Sequence, residues 1–236
     1  NRSGFDSYAY LMAYEEEIDA LYKGNESLTK LQKSALHFVE VGKEVVELDY
    51  LKYVATYDDL TTGSITSKPN DKEWEEWILE AGKAHYENGG KEEILTGKRE
   101  LKPFFDAMTY VATHVTTADA FKTEEGVVDE KLATIAYITF GSQNGLASAG
   151  FQPFMYLANY PELLEEDIYV NKEISFIKVA KLWLEKFADG IKLDVFDPTE
   201  FKEALSLPES ADPYKEYVME KLKDYRAMLK KQASCF

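Results

Sequence analysis

The chain has 236 residues, enough for a sizeable core, and its 45% apolar and 14% aromatic content is that of a folded protein rather than a disordered one. Its 43 acidic against 27 basic residues give a formal charge of −16. That charge disfavours nucleic acid and anionic membrane surfaces as partners and leaves basic proteins, cations and simple solubility open. The one cysteine in the sequence, Cys235, excludes an intramolecular disulfide and a multi-cysteine metal site.

Helical periodicity dominates from the start. Phe5–Tyr22 reads as a first helix, and Ser27–Asp58 as a long periodic segment rich in Leu, Val and Tyr, with a break expected near Gly42. Asp71–Asn88 makes a third helix, stopped by Gly89-Gly90, and Pro103–Thr117 a fourth with proline near its start. The polar stretch Thr61–Asn70 is the longest expected loop.

Leu132–Pro161 then runs without one charged side chain. A membrane helix needs about twenty consecutive, mainly apolar residues. Here Gly141-Ser142-Gln143-Asn144-Gly145 interrupts the run, and Gln152-Pro153 follows, so no membrane span is expected. The stretch reads instead as two helices, Val128–Phe140 and Gly145–Ala158, meeting at a corner of small residues and buried by their amphipathic neighbours.

Asn171–Ala188 continues with a broad apolar face and Gly190 beyond its C-cap, and Ile191–Asp197 alternates as a short strand or extended connection. Asp197-Pro198 and Asp212-Pro213 each pair an N-cap with proline at the first helical position, so two short helices begin there. The expected fold is all-α: a single domain over 1–236, a globular bundle of seven to nine helices with a buried central helical hairpin at about 132–160.

Motifs that carry chemistry are scarce. The sequence holds no His-Glu-x-x-His, no Glu-x-x-His pair, no calcium loop, no phosphate loop, no nucleophile elbow and no dinucleotide fingerprint. His37 and Glu40 stand one helical turn apart. The pair resembles the His-x-x-Glu of imelysin-like helical proteins, with Ala35 where that family carries glycine. The expectation is a partly buried histidine in a helical ion pair, and no metal site. Acidic clusters such as Glu15-Glu16-Glu17 and Glu75-Glu76 read as solvated helix faces.

Two functional readings follow. The first is a non-catalytic, acidic helical subunit or adaptor that docks on a larger or basic protein partner, motivated by charge, aromatic content and the missing catalytic constellation. The alternative is a small-molecule or cofactor binder, or an enzyme, with a pocket for a small hydrophobic ligand at the Gly/Ser/Ala-rich corner 141–153. Gln143, Asn144 and Gln152 would supply its polar contacts and His114 or His37 its titrating group. No cofactor is specified by the residues. The acidic surface and the missing initiator Met suit a processed exported or organelle-lumen protein.

Overall fold

Side-chain caps set most of the helix starts. A computed structural model describes residues 5–186 and 196–233 of the chain. The Asp6 carboxylate accepts from the amides of Tyr8 and Ala9 to open α1 (Ser7–Leu21). Thr29 and Gln32 form a reciprocal capping box on α2 (Lys30–Glu40). Asp49, Asp106 and Asp129 cap α3 (Tyr50–Thr56), α7 (Ala107–Thr113) and α8 (Glu130–Ala136) in the same way. Between them lie the single turn α4 (Asp58–Thr61), α5 (Trp74–His85) and α6 (Lys91–Leu95). The all-α expectation holds: the described residues contain twelve α-helices and one two-stranded hairpin. No helix among them is long and apolar enough to cross a membrane.

The departures from expectation have local causes. The long segment breaks as expected at Gly42, which takes φ 73°, and residues 42–49 are not helical before α3. Gly89-Gly90 does not stop its helix: α5 runs into the wide turn Tyr86–Gly90, which feeds α6 directly. The expected helix Gly145–Ala158 shrinks to α9 (Pro153–Asn159). Proline at its first position pushes the preceding residue out of the helical region, and Gln152 sits at ψ 88°. The expected start at Asn171 is instead a hairpin turn. Asn171 (φ 48°) and Lys172 (φ 70°) join β1 (Tyr169–Val170) to β2 (Glu173–Ile174), and α10 (Phe176–Lys186) starts after it.

The Asp197 and Asp212 caps form as read, on α11 (Pro198–Ala204) and α12 (Pro213–Ala233), although α12 is long at 21 residues. Gly190, Phe187, Ala188, Cys235 and all of Ile191–Asp197 except its last two residues lie outside the described residues.

The chain divides into two compact units. One holds the chain up to Gly150 together with Val170–Glu173. In it α1 packs on α2, α3 on α5, and α7 on α8. Its core is rich in tyrosine: Tyr8, Tyr10, Tyr53 and Tyr57 are all buried, beside Leu11, Ile18, Val54 and Ile78. The ring planes of Tyr8 and Tyr53 meet edge to face at 6.1 Å, and those of Tyr53 and Tyr57 at 5.5 Å.

The second unit holds Phe151–Tyr169 and the chain from Ile174 on. There α9 packs against α12 and α10, burying Tyr156, Leu157, Val179, Trp183, Val218 and Leu222. Buried Asn159 ties this unit internally: its amide nitrogen donates to Met155 and its oxygen accepts from the Phe196 amide at 3.0 Å.

Candidate functional site

The uncharged stretch is the natural place to look, and its corner is a helix ending. Gly141 and Ser142 close the turns that follow α8. Gly145 takes φ 70°, its amide donates to the Ser142 carbonyl, and the Leu146 amide donates back to Gly141. This double reversal is the usual way a glycine in the left-handed region ends a helix. Gly141 and Gly150 also serve close packing. A Cβ on Gly141 would lie 2.9 Å from the Tyr110 hydroxyl, and one on Gly150 would lie 2.9 Å from the Thr113 methyl.

Four of the residues expected to bind a ligand sit as follows. The side-chain amide of Asn144 donates to the Phe140 carbonyl at 2.7 Å, and that of Gln143 reaches Ile138 at 3.5 Å. His114, at the end of α7, is brought to the corner, where Nε2–H donates to the Ala147 carbonyl at 2.9 Å. Gln152 is exposed and belongs to the second unit, where it precedes α9. The first three therefore spend hydrogen bonds on holding the corner's own backbone.

The outer side of α8 is a different surface. Along α8 and the wide turn Tyr137–Gly141, the buried positions are Ala133, Thr134, Tyr137, Ile138 and Gly141. Leu132, Ile135, Ala136, Thr139 and Phe140 recur at three- and four-residue spacing on the other side. Leu132 is 45% exposed and Phe140 62%. The Thr139 hydroxyl donates to the Ile135 carbonyl at 2.8 Å, which ties its one polar atom to the helix backbone. The expected burial of this helix on all sides is therefore one-sided. The charge-free run reflects an apolar face that remains open as well as a core face. At its N-terminal end, the turn leading into α8 carries exposed Val127 between Glu124, Glu125, Asp129 and Glu130. Of the lysines that flank it in sequence, Lys122 pairs with Asp119 and Lys131 with Glu75.

A third cluster has no counterpart in the sequence reading. The Tyr53 hydroxyl lies 2.8 Å from Nδ1 of His85, and Nε2 of His85 lies 3.3 Å from the Arg99 guanidinium. Arg99 also forks onto both oxygens of Asp59 at 2.9 and 3.0 Å, reaches Glu93 through Nε at 3.0 Å, and stacks 4.7 Å over the Tyr57 ring. Four of these contacts use guanidinium N–H groups, out of five available. Arg99 thus acts as an internal clamp and has little left for an external anion. Burial and the neighbouring Arg99 cation hold the His85 pKa below the ordinary imidazole value, against the pull of Glu93 and Asp59. Burial pushes the Tyr53 hydroxyl pKa up. No short motif announces this cluster, because its members are 32 and 14 residues apart in sequence.

His37 is buried on α2, with Nδ1 3.0 Å from the Tyr10 hydroxyl. Glu40 accepts from Tyr22 where a helical ion pair with His37 was expected. Among the described residues no group of three or more His, Cys, Asp or Glu side chains could hold a metal ion. Comparisons with protein-family models, curated proteins and solved structures find no match to this chain.

Proposed function

We propose that this chain is a non-catalytic protein-binding subunit, and that it docks a basic, amphipathic segment of a protein partner on the outer face of α8. The observation that carries this reading is the charge-free stripe Leu132, Ile135, Ala136, Thr139 and Phe140, with Phe140 62% exposed. Removing a large aromatic from water releases about 1.5–3 kcal/mol when burial is complete, so an exposed Phe beside an exposed Leu is a surface that gains from being covered. The acidic margin at Glu124, Glu125, Asp129 and Glu130 and the overall charge of −16 select a basic partner over an acidic one and speed its approach. The small-molecule alternative is weaker, because His114, Gln143 and Asn144 hold the corner backbone.

The test uses a synthetic amphipathic helix of Leu and Lys, with its Leu/Glu counterpart as control, followed by backbone amide shifts. The basic peptide is expected to shift residues 127–146 and the acidic one to leave them unchanged. Phe140→Asp then separates docking from simple charge attraction. It adds a negative charge, so attraction by charge alone would tighten the peptide, whereas apolar docking would weaken by about tenfold or more, that is, about 1.4 kcal/mol. Tighter or unchanged binding to Phe140→Asp, or shifts centred elsewhere, would overturn the proposal. Position 140 is exposed enough that the variant is expected to stay folded, within about 0.5 kcal/mol of wild type.

A further inference from the structure

The wide turn Tyr86–Gly90 is closed by a histidine whose two ring nitrogens are both engaged. Arginine has only donors, so the Arg99 contact at 3.3 Å requires Nε2 of His85 to be the acceptor. The ring proton of neutral His85 then sits on Nδ1 and is donated to the Tyr53 hydroxyl at 2.8 Å. Tyr53 is fully buried on α3, and Gly90 presses against the same pair: a Cβ there would lie 2.8 Å from His85 Nδ1. The turn is therefore keyed to one tautomer of one ring.

We propose that His85 is an acid-sensitive latch: a proton added at Nε2 expels Arg99 from the ring and loosens the Tyr86–Gly90 turn together with α6. The step is a proton transfer from solvent: one N–H forms at Nε2 and the hydrogen bond from Arg99 is lost.

The groups that face His85 decide the outcome. Arg99 opposes the proton. Glu93 from α6 and Asp59 from α4 favour it, but both carboxylates are already bonded to Arg99. Tyr53 from α3 is uncharged. Beyond the ring, Tyr86 donates to Asp6, which also pairs with Lys91 at 2.7 Å. Burial works against that carboxylate, but its bonds from Lys91, the Ala9 amide and Tyr86 hold its pKa below the ordinary Asp value. Asp6 therefore stays charged through the pH range where an imidazole titrates. On the outer side of α5, Lys83 and Glu87 pair only loosely at 3.9 Å.

The folded state disfavours the proton on His85, so its pKa is lower folded than unfolded. The unfolded or locally opened chain then binds more protons, and protection rises with pH through the window. It is complete above the ordinary value of about 6.5 and is lost as pH falls from there toward the lower folded value.

Hydrogen exchange of the whole chain, corrected for intrinsic rates, reads the latch directly. Protection of amides 86–95 is expected to fall about tenfold more than that of α7 between about pH 7 and pH 5.5. In His85→Gln this excess loss disappears. In Arg99→Gln it shrinks, because the opposing cation is gone while burial of the ring remains. Should either variant fail to fold, nitrogen-15 spectra of the wild-type imidazoles at pH 7.5 still decide: an Nδ1–H tautomer at His85 supports the latch. An Nε2–H tautomer, an equal loss in folded His85→Gln, or no excess loss in wild type overturns it.

Discussion

One methyl group at Gly90 tests how tightly the tyrosine core is built. The glycine backbone stands against Tyr53 and His85, and a Cβ would overlap the Tyr53 hydroxyl and crowd His85 Nδ1 at 2.8 Å. Neither neighbour can swing aside freely. Tyr53 is fully buried and rings with Tyr8, Tyr57 and Tyr86 at 5.3–6.1 Å, and His85 is tied to Arg99. Gly90→Ala is therefore expected to lower stability by about 1–3 kcal/mol, despite the better helix propensity of alanine. Urea unfolding measures it; an unchanged midpoint would mean the pair relaxes at no cost. The adjacent Gly89 is the control, because a Cβ there meets nothing within 4 Å. The sequence marked Gly89-Gly90 as punctuation, which is the usual meaning of paired glycines. What it could not carry is the partner: Gly90 is needed because of Tyr53, 37 residues earlier, and only the packed structure brings the two together.

At the scale of elements, the local rules that the sequence states clearly are the ones that hold. Asp197-Pro198 and Asp212-Pro213 start helices because cap and proline act within a few residues. The helix stop at Gly145 is equally local, although the apolar pattern after it suggests a helix start there. Two further residues decide the matter: Leu146 closes the reversal onto Gly141, and Pro153 defers the next helix. Because Gly145 holds φ 70° in open space, its requirement is conformational rather than steric. Gly145→Ala is expected to destabilise by about 1 kcal/mol, and Gly145→Asn by less, since Asn tolerates the left-handed region. Thermal melts of the two variants check the order; equal loss in both would point to packing instead. The exposed stripe on α8 shows the limit of pattern reading. The absence of charge over Leu132–Pro161 was visible, and so was the helical period. Periodicity says which residues share a face, but not whether anything covers it. Only the fold reports that Ala133 and Ile138 point into the core while Leu132 and Phe140 do not.

For the molecule as a whole, charge is the property that composition states most directly. With 43 acidic and 27 basic side chains, self-repulsion opposes the folded state more than the ion pairs support it. The pairs are mostly exposed: Lys102–Asp58 and Lys178–Asp167, for example, keep 71% and 90% of the aspartate side chain in solvent. Such pairs contribute about 0–1 kcal/mol each and are screened by salt. Salt therefore weakens a small favourable contribution and a larger unfavourable one. Raising ionic strength from about 0.01 M to 0.15 M shortens the screening length from about 30 Å to about 8 Å, enough to decouple charges on opposite sides of a unit. The expected result is a rise in Tm of roughly 2–4 °C per kcal/mol of repulsion removed. Sodium chloride and a second monovalent salt should act alike, which separates screening from specific ion binding. A fall in Tm would mean that the ion pairs, the partly exposed clamp of Arg99 with Asp59 and Glu93 among them, outweigh the net charge. Acidification gives an independent check in a window above the ordinary carboxylate range, where His37 and His85, both held below the ordinary imidazole value by burial, disfavour the proton in the folded chain. Global Tm and the local protection of residues 86–95 should then fall together below about pH 6.5, because the unfolded chain and the locally opened turn both take up the proton that folded His85 disfavours.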